Sequence, residues 1–276
     1  MTTVSAPLTT SLEPDLKRME LRMLDAISLV ANSTVGDRLR ELIIAGGKRL
    51  RPRMIFHAAS IFGATPDHAL PVAAGIELLH TATLIHDDLV DHAQARRGVA
   101  TLNSSFPMGL VVLSGDLLFA EAARLVAEAD HIEVMRSFAR ALSEIVQGEI
   151  IQAQARYTLV SIEEYYHRIY GKTASLFRTA AEVGAMLGTS VQAHIEALGE
   201  YGRLLGMAFQ IVDDTLDFAS SSERLGKPSG HDLRQGVISL PVLLFHQQRA
   251  DHGNGTLKRV IAGSANEDQV AATIEA

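Results

Sequence analysis

An all-α fold is predicted by three features of the sequence. Apolar residues recur at three- and four-residue spacing almost everywhere, as the apolar stripe of a helix requires. Runs that alternate apolar and polar residues, the mark of a half-buried strand, are scarce. The 8 prolines and 21 glycines fall mainly between the periodic segments, where helices break. Read this way, helices are predicted over about 14–31, 36–45, 52–62, 67–92, 107–128, 131–156, 161–169, 172–187, 191–219 and 236–249.

In chain order, Gly46 and Gly47 close the second helix, since glycine suits the residue just past a helix end. Pro66 and Asp67 open the fourth, because proline is preorganised for a first turn. That long helix carries the core-like residues Leu78, Leu79, Leu84 and Ile85, and the helix over 191–219 carries Phe209, Ile211, Val212, Leu216 and Phe218. The last stretch, "ANEDQVAATIEA", starts like a helix and stops without a C-cap. No Pro/Ser-rich linker or fixed-period repeat divides the chain. The expectation is therefore one domain over 1–276: a bundle of about ten or more helices around a central cavity, with residues 1–12 flexible and further C-terminal helices absent from the chain.

The chain has 276 residues, 47% hydrophobic and 21% charged, enough for a sizeable core. There is no cysteine, so disulfides, thiolate chemistry and thiolate metal sites are excluded, and a cytoplasmic location is expected. A formal charge of −7 without a basic tail argues against a nucleic-acid partner. No uninterrupted run of about 18 apolar residues and no signal-like N-terminus is present, so no membrane span is expected.

The segment "LIHDDLVDHAQARRG" ends an apolar helix in Asp87, Asp88 and Asp91, then Arg96 and Arg97. Asp87 and Asp91 stand one helical turn apart on one face, and carboxylates so close repel unless a cation lies among them. An all-oxygen set suits Mg²⁺, which keeps waters and is completed by substrate phosphates. An acidic helix face is usually just solvated. Here the spacing returns in "FQIVDDTLDF", with Asp213, Asp214 and Asp217 set among apolar residues. Two such trios read as two walls of one cavity across Mg²⁺.

Cations supply the other half. Lys48, Arg49 and Arg51 in "GGKRLRP", Arg96 and Arg97, Lys172 in "GKTASL" and Lys227 in "LGKPSGHDLRQG" stand beside glycines or predicted helix ends, where backbone can approach an anion. Singly each reads as a surface charge; together they describe a site for more than one polyphosphate.

With "GGKRLRP", "HDDLVD…RRG", Gly115–Asp116, "KTA", "FQIVDDTLDF" and "GKPSGHDLRQG" in this order, the chain resembles the trans-isoprenyl diphosphate synthases (polyprenyl synthetases), from about Gly46 to Phe245. The resemblance implies a Mg²⁺-dependent prenyltransferase. An allylic diphosphate (dimethylallyl, geranyl, farnesyl or geranylgeranyl) ionises, isopentenyl diphosphate attacks the carbocation, and the departing pyrophosphate takes a proton. It further implies three Mg²⁺ ions per site, replaceable by Mn²⁺, and a homodimer. Asp87 and Asp91 would hold two ions and Asp213 the third, with Asp214 and Asp217 as neighbouring or water-mediated partners and Asp88 also in the metal-binding set. Arg96, Lys172 and Lys227 would hold the allylic diphosphate, and Lys48, Arg51, His80 and Arg97 isopentenyl diphosphate. Lys172 also joins Thr173 and Gln210 in the catalytic set, where Thr173 and Gln210 would aim dipoles at the carbocation.

His86 and His92 are assigned to structure or solvent, and Arg49 to structure. Val237 stands where many relatives carry lysine after "DLRxG", removing one phosphate-neutralising charge. Chain length is read along the helix N-terminal to Asp87. Ala82 and Thr83 lie about one turn before it, both small, with a deeper floor around Leu125 and Val126. This favours a product from geranylgeranyl to octaprenyl. The weaker alternatives are a non-catalytic regulatory subunit, which should have lost aspartates or the arginine pair, and a class I terpene cyclase, which needs no second cationic set.

Overall fold

A computed structural model describes residues 11–96, 98–219, 229–249 and 255–275. Among them helices dominate, joined by one two-stranded antiparallel ribbon, β1 (Ala95–Arg96) and β2 (Val99–Ala100). The chain groups into two compact units, Met1–Leu142 with Leu176–Gly202, and Ser143–Ser175 with Arg203–Ala276.

The first unit opens with α1 (Glu13–Ala26), α2 (Thr34–Ala45), α3 (Leu50–Ile61) and α4 (Pro66–Val90). Ser33 caps α2 by accepting the Gly36 N–H at 3.1 Å, an N-cap contact commonly contributing about 1 kcal/mol. Gly46 ends α2 at φ +56°, a conformation that costs glycine little. Pro66 stands in the first turn of α4. After the ribbon come α5 (Met108–Ala127) and the first part of α6 (Ile132–Gln154). The unit also takes in nearly all of α8 (Ser175–Met186) and the start of α9 (Gln192–Ala219).

α4 is its core. Val72, Ala73, Ala74, Ile76, Leu78, Leu79 and Ala82 are fully buried, so the helix is apolar nearly all round, as a helix sheathed by others must be. Burying side chains such as Leu78 and Leu79 contributes about 1.5–3 kcal/mol each before the entropy cost. Among the described residues α4 is the one helix long and apolar enough to cross a membrane, and 67% of that window is buried inside the protein. It also buries Glu77. These are properties of a core helix.

The second unit holds the rest of α6, then α7 (Ile162–Ile169), a π-helical turn (Tyr170–Ala174) and the end of α9. There follow α10 (His231–Arg234), α11 (Leu240–Arg249), α12 (Gly255–Ile261) and α13 (Glu267–Glu275). Ser161 and Glu164 form a reciprocal capping box at the start of α7. Tyr165 and Ile169 pack with Leu233, Val242, Leu243 and Val260 in this unit's core.

Beyond the unpredicted short helices α10 and α12, four features differ from the predicted pattern. The helix predicted over 14–31 stops at Ala26 and continues as a 3₁₀ turn over Ser28–Val30. The helix predicted over 236–249 starts at Leu240, because Gly236 at φ +77° turns the chain and its carbonyl accepts the Tyr157 N–H. The π turn and the ribbon were not foreseen; five- and two-residue elements are too short to show a period of their own. Residues 1–10 of the expected flexible start lie outside the described residues.

Candidate active site

In the first unit the site is built on the last turn of α4. Asp91 is its C-cap, and the Asp91 N–H donates to the Asp87 carbonyl at 2.8 Å, so the expected one-turn spacing holds. A helix C-terminus carries partial negative charge, and three carboxylates there are an unfavourable arrangement until cations neutralise them. Asp88 is drawn inward, 4% exposed, and accepts from Arg96 Nε at 2.8 Å. The ribbon beginning at Ala95 returns Arg96 to that position. Asp87 and Asp91 stay half-buried. Asp88, expected in the metal-binding set, is a fastener in this structure: a buried carboxylate must be paired, and Arg96 pairs it.

His86 is structural, as expected. Its Nε2 lies 3.1 Å from the Val112 carbonyl and its ring meets Phe119 edge-on. The ring occupies the notch over Gly115, where a Cβ would lie 2.1 Å from Nε2. The glycine of "GD" is there to admit the histidine.

The cationic loop before α3 has a structural centre. Arg49 takes a left-handed conformation (φ +49°) as N-cap of α3 and is 6% exposed. Its guanidinium reaches Glu77 at 2.9 Å, Glu20 at 3.1 Å and the Ile43 carbonyl at 2.5 Å. Anchoring Arg49 leaves Lys48 exposed and Arg51 in the first turn of α3, where helix N–H groups favour an anion. The Arg51 guanidinium lies over the Phe177 ring, 4.5 Å from its centroid. Half-buried His80 sits on α4, and the Thr83 hydroxyl donates to its carbonyl at 2.8 Å. Ala82 is fully buried, and Val126 packs on Gly75, twelve residues and about 18 Å along α4 from Asp87.

In the second unit Lys172 and Thr173 lie in the π turn. Gly148 and Gly171 allow α6 and this turn to touch through backbone, for a Cβ on Gly148 would come 2.7 Å from the Lys172 nitrogen. The Ser175 hydroxyl donates to the Gly171 carbonyl at 2.6 Å, satisfying a group that the wider turn would leave poorly paired. Such turns are frequent at functional sites. The Lys172 ammonium meets Glu149 at 2.7 Å.

On α9, Asp213 is exposed. Asp217 accepts the Asp232 N–H at 3.1 Å with one oxygen, tying α9 to α10. Asp214 is 4% exposed. Its oxygens accept from the Tyr165 hydroxyl and from Gln210 Nε2, each at 2.7 Å, and Gln210 Oε1 accepts from the Thr173 hydroxyl at 2.6 Å. Burial pushes the Asp214 carboxyl above its usual range, while Tyr165, Gln210 and the charge of Arg168 pull it back. Burial, then the charge of Asp214, pushes the Tyr165 phenol up. Asp214, expected as a neighbouring or water-mediated metal partner, is like Asp88 a fastener in this structure. Lys227 and Arg97 lie outside the described residues.

Among the described residues no three Asp, Glu or His side chains gather closely enough to cage a metal alone. Mg²⁺ is seldom held by a protein cage and is commonly completed by waters and substrate phosphates. The oxygen donors Asp87, Asp91 and Asp213 fit that mode. Sequence reasoning missed Tyr165, Glu149, Arg168 and the Glu77 partner of Arg49. No local signal marks them, since each acts through a partner distant in sequence.

An all-α chain with two aspartate trios on helices and cations at helix ends has the make-up of a prenyl-transferring enzyme. Residues 33–276 match the polyprenyl synthetase family, and the chain belongs to it. An all-trans-nonaprenyl-diphosphate synthase (geranyl-diphosphate specific) of Rhodobacter capsulatus is 38% identical over 240 residues, 86% of this chain and 74% of that protein. A short chain isoprenyl diphosphate synthase of Methanothermobacter thermautotrophicus is 35% identical over 92% of this chain and 79% of its own length. A polyprenyl synthase from Caulobacter crescentus CB15, solved with calcium and isoprenyl diphosphate, superposes with a TM-score of 0.88 at 37% identity, over 96% of this chain and 81% of that one. The protein is a prenyl diphosphate synthase, a transferase that lengthens a trans prenyl chain by adding isopentenyl diphosphate to an allylic diphosphate. The family depends on divalent metal.

Proposed function

We propose that this synthase makes a product of geranylgeranyl length or longer, and that Asp87, Asp91 and Asp213 hold three Mg²⁺ ions on the allylic diphosphate. The observation that carries the assignment is the parallel build of the two trios, in which the middle carboxylate is buried and paired while the outer residues Asp87, Asp91 and Asp213 are half-buried or exposed. When bound, the cations supply Lewis acidity for charge developing on the leaving pyrophosphate. Arg96, Lys172 and Lys227 hold the allylic diphosphate, and Lys48, Arg51, His80 and Arg97 hold isopentenyl diphosphate. Thr173 and Gln210 present fixed dipoles to the carbocation. The small residues Ala82 and Thr83 leave room for a long tail.

The protein acts as a homodimer in the cytoplasm in this reading. Support for the dimer comes from Met108, Val112 and Leu113, exposed on α5, since a patch of large apolar side chains marks an association surface. Sedimentation at micromolar concentration should give about twice the chain mass of 29.8 kDa, and a single-chain mass would refute the dimer. For the reaction, farnesyl diphosphate and labelled isopentenyl diphosphate are supplied with Mg²⁺ and the dephosphorylated products are sized. Labelled products of C20 or longer support the reading. Unlabelled cyclised hydrocarbon or unchanged substrate refutes it.

A further inference from the structure

The second unit carries an unbroken hydrogen-bond chain whose far end no role above explains. It runs from the Tyr165 hydroxyl to Asp214 at 2.7 Å, from Asp214 to Gln210 at 2.7 Å, and from Gln210 to the Thr173 hydroxyl at 2.6 Å. Tyr165 is fully buried, nowhere near a surface from which it could touch a substrate.

The direction of every link is fixed. The Gln210 NH₂ group, which only donates, lies against one Asp214 oxygen, and the Tyr165 hydroxyl lies against the other. That leaves the amide oxygen facing Thr173. A hydroxyl has a single hydrogen, so Thr173 must spend it on that oxygen. What Thr173 then has left to present is lone-pair density and no hydrogen. A carbocation is stabilised by the first and repelled by the second. If the amide turned end for end, the Thr173 oxygen would accept from NH₂ and its hydrogen would swing outward, reversing the dipole. Tyr165 holds the carboxylate oxygen that Gln210 does not use, and so keeps Asp214 from swinging away from the amide.

We propose that Tyr165 is a positioning residue for the condensation: through Asp214 and Gln210 it fixes the hydroxyl of Thr173 with its lone pairs, rather than its hydrogen, available to the carbocation. This rests on the elongation activity and on the role given to Thr173. Replacing Tyr165 by phenylalanine deletes one oxygen and keeps the ring, so the core of the second unit is disturbed little. The carboxylate loses its anchor, the amide is free to turn, and the Thr173 hydrogen is no longer committed.

The test is single-turnover elongation with saturating Mg²⁺, comparing Tyr165→Phe in three backgrounds: wild type, Thr173→Ser and Thr173→Val. The expected result is a fall of about tenfold in the chemical step in the first two, with KM for both diphosphates within about twofold. In Thr173→Val, which has no hydroxyl to orient, Tyr165→Phe should cost nothing further. An equal fall in the valine background would make Tyr165 merely structural and overturn the proposal, as would a wild-type rate in Tyr165→Phe. Should Tyr165→Phe not fold, Gln210→Met cuts the chain one link later and must show the same dependence on background. An inactive wild-type protein would instead overturn the reading of the site, and this inference with it.

Discussion

The two aspartate trios share one spacing and are fastened by different means. At the end of α4, Asp88 is buried and held by a charged partner, Arg96, at 2.8 Å. Along α9, Asp214 is equally buried but held by neutral donors, Tyr165 and Gln210. The first trio closes a helix, with Asp91 as its C-cap; the second lies inside one. In each, the middle carboxylate is buried and bonds back into its own unit, while the i and i+4 positions are half-buried or exposed. The difference lies in what the fastener does next. Arg96 is itself a proposed phosphate ligand, so its pairing with Asp88 holds that charge at the end of α4. Gln210 turns its amide oxygen to the Thr173 hydroxyl, so pairing it with Asp214 links the second trio to the π turn.

The largest effect should come from the outer residues. Asp87→Ala or Asp213→Ala is expected to cut turnover by at least about a thousandfold, because lost stabilisation of the leaving group amounts to several kcal/mol. Chelator should do the same to wild type. Near-normal turnover in either variant would break the assignment of outer positions to metal.

Next comes Ala82→Phe, which acts only on the helix of the first trio. A ring added one turn before Asp87 leaves the metal and phosphate groups untouched. Overpacking costs about 1–3 kcal/mol, so release should be favoured over further extension by roughly ten- to hundredfold. Reversed-phase sizing should show the main product shifted to farnesyl or geranylgeranyl diphosphate. An unchanged distribution from a folded, active variant would mean that the tail does not pass Ala82.

Arg96→Gln sharpens the contrast between charged and neutral fasteners. It leaves Asp88 buried without its guanidinium and should mainly weaken use of the allylic primer, by about tenfold in kcat/KM, whereas Arg97→Gln should mainly weaken use of isopentenyl diphosphate. Equal effects of both variants on both substrates would dissolve that division.

A smaller effect concerns pH. Burial holds the Asp214 carboxyl above its ordinary value of 3.8. The unfolded chain therefore gives up this proton at lower pH than the folded protein does, and stability from this group falls as pH rises through that window. Asp214→Asn has no such proton. Measured by urea unfolding, the stability of wild type relative to Asp214→Asn should decline as pH is raised from about 3.8 towards neutrality. A constant difference would show that burial does not dominate at Asp214. Smallest of all, Ser161→Ala removes half of the α7 capping box and should cost about 1 kcal/mol with kcat unchanged within about twofold.

The helices and both trios were legible because each is a local pattern: a period of 3.6 residues, or aspartates one turn apart. The partners of the middle carboxylates are not legible for a related reason. Spacing along a helix gives which face a residue occupies, and it says nothing of what waits on that face. Asp88 meets an arginine eight residues away across a ribbon, and Asp214 meets a tyrosine 49 residues away. The motif marks Arg49 as structural, while nothing in the sequence ties it to Glu77, its partner 28 residues away. The π turn escaped because Lys172 and Thr173 sit in an otherwise ordinary helical period.

The acidic end of α4 has a consequence for the protein's life outside the reaction. Carboxylates gathered at the negative end of a helix favour cations, so cations and diphosphate bound there would add to the stability of the folded state. Whatever binds the folded form alone shifts unfolding by RT ln(1 + [L]/Kd), about 2.7 kcal/mol at a hundredfold excess over Kd. An idle molecule is then the fragile one and a working molecule the durable one. Clearance by proteases would fall on copies for which there is no substrate, and abundance would track supply without any dedicated regulator.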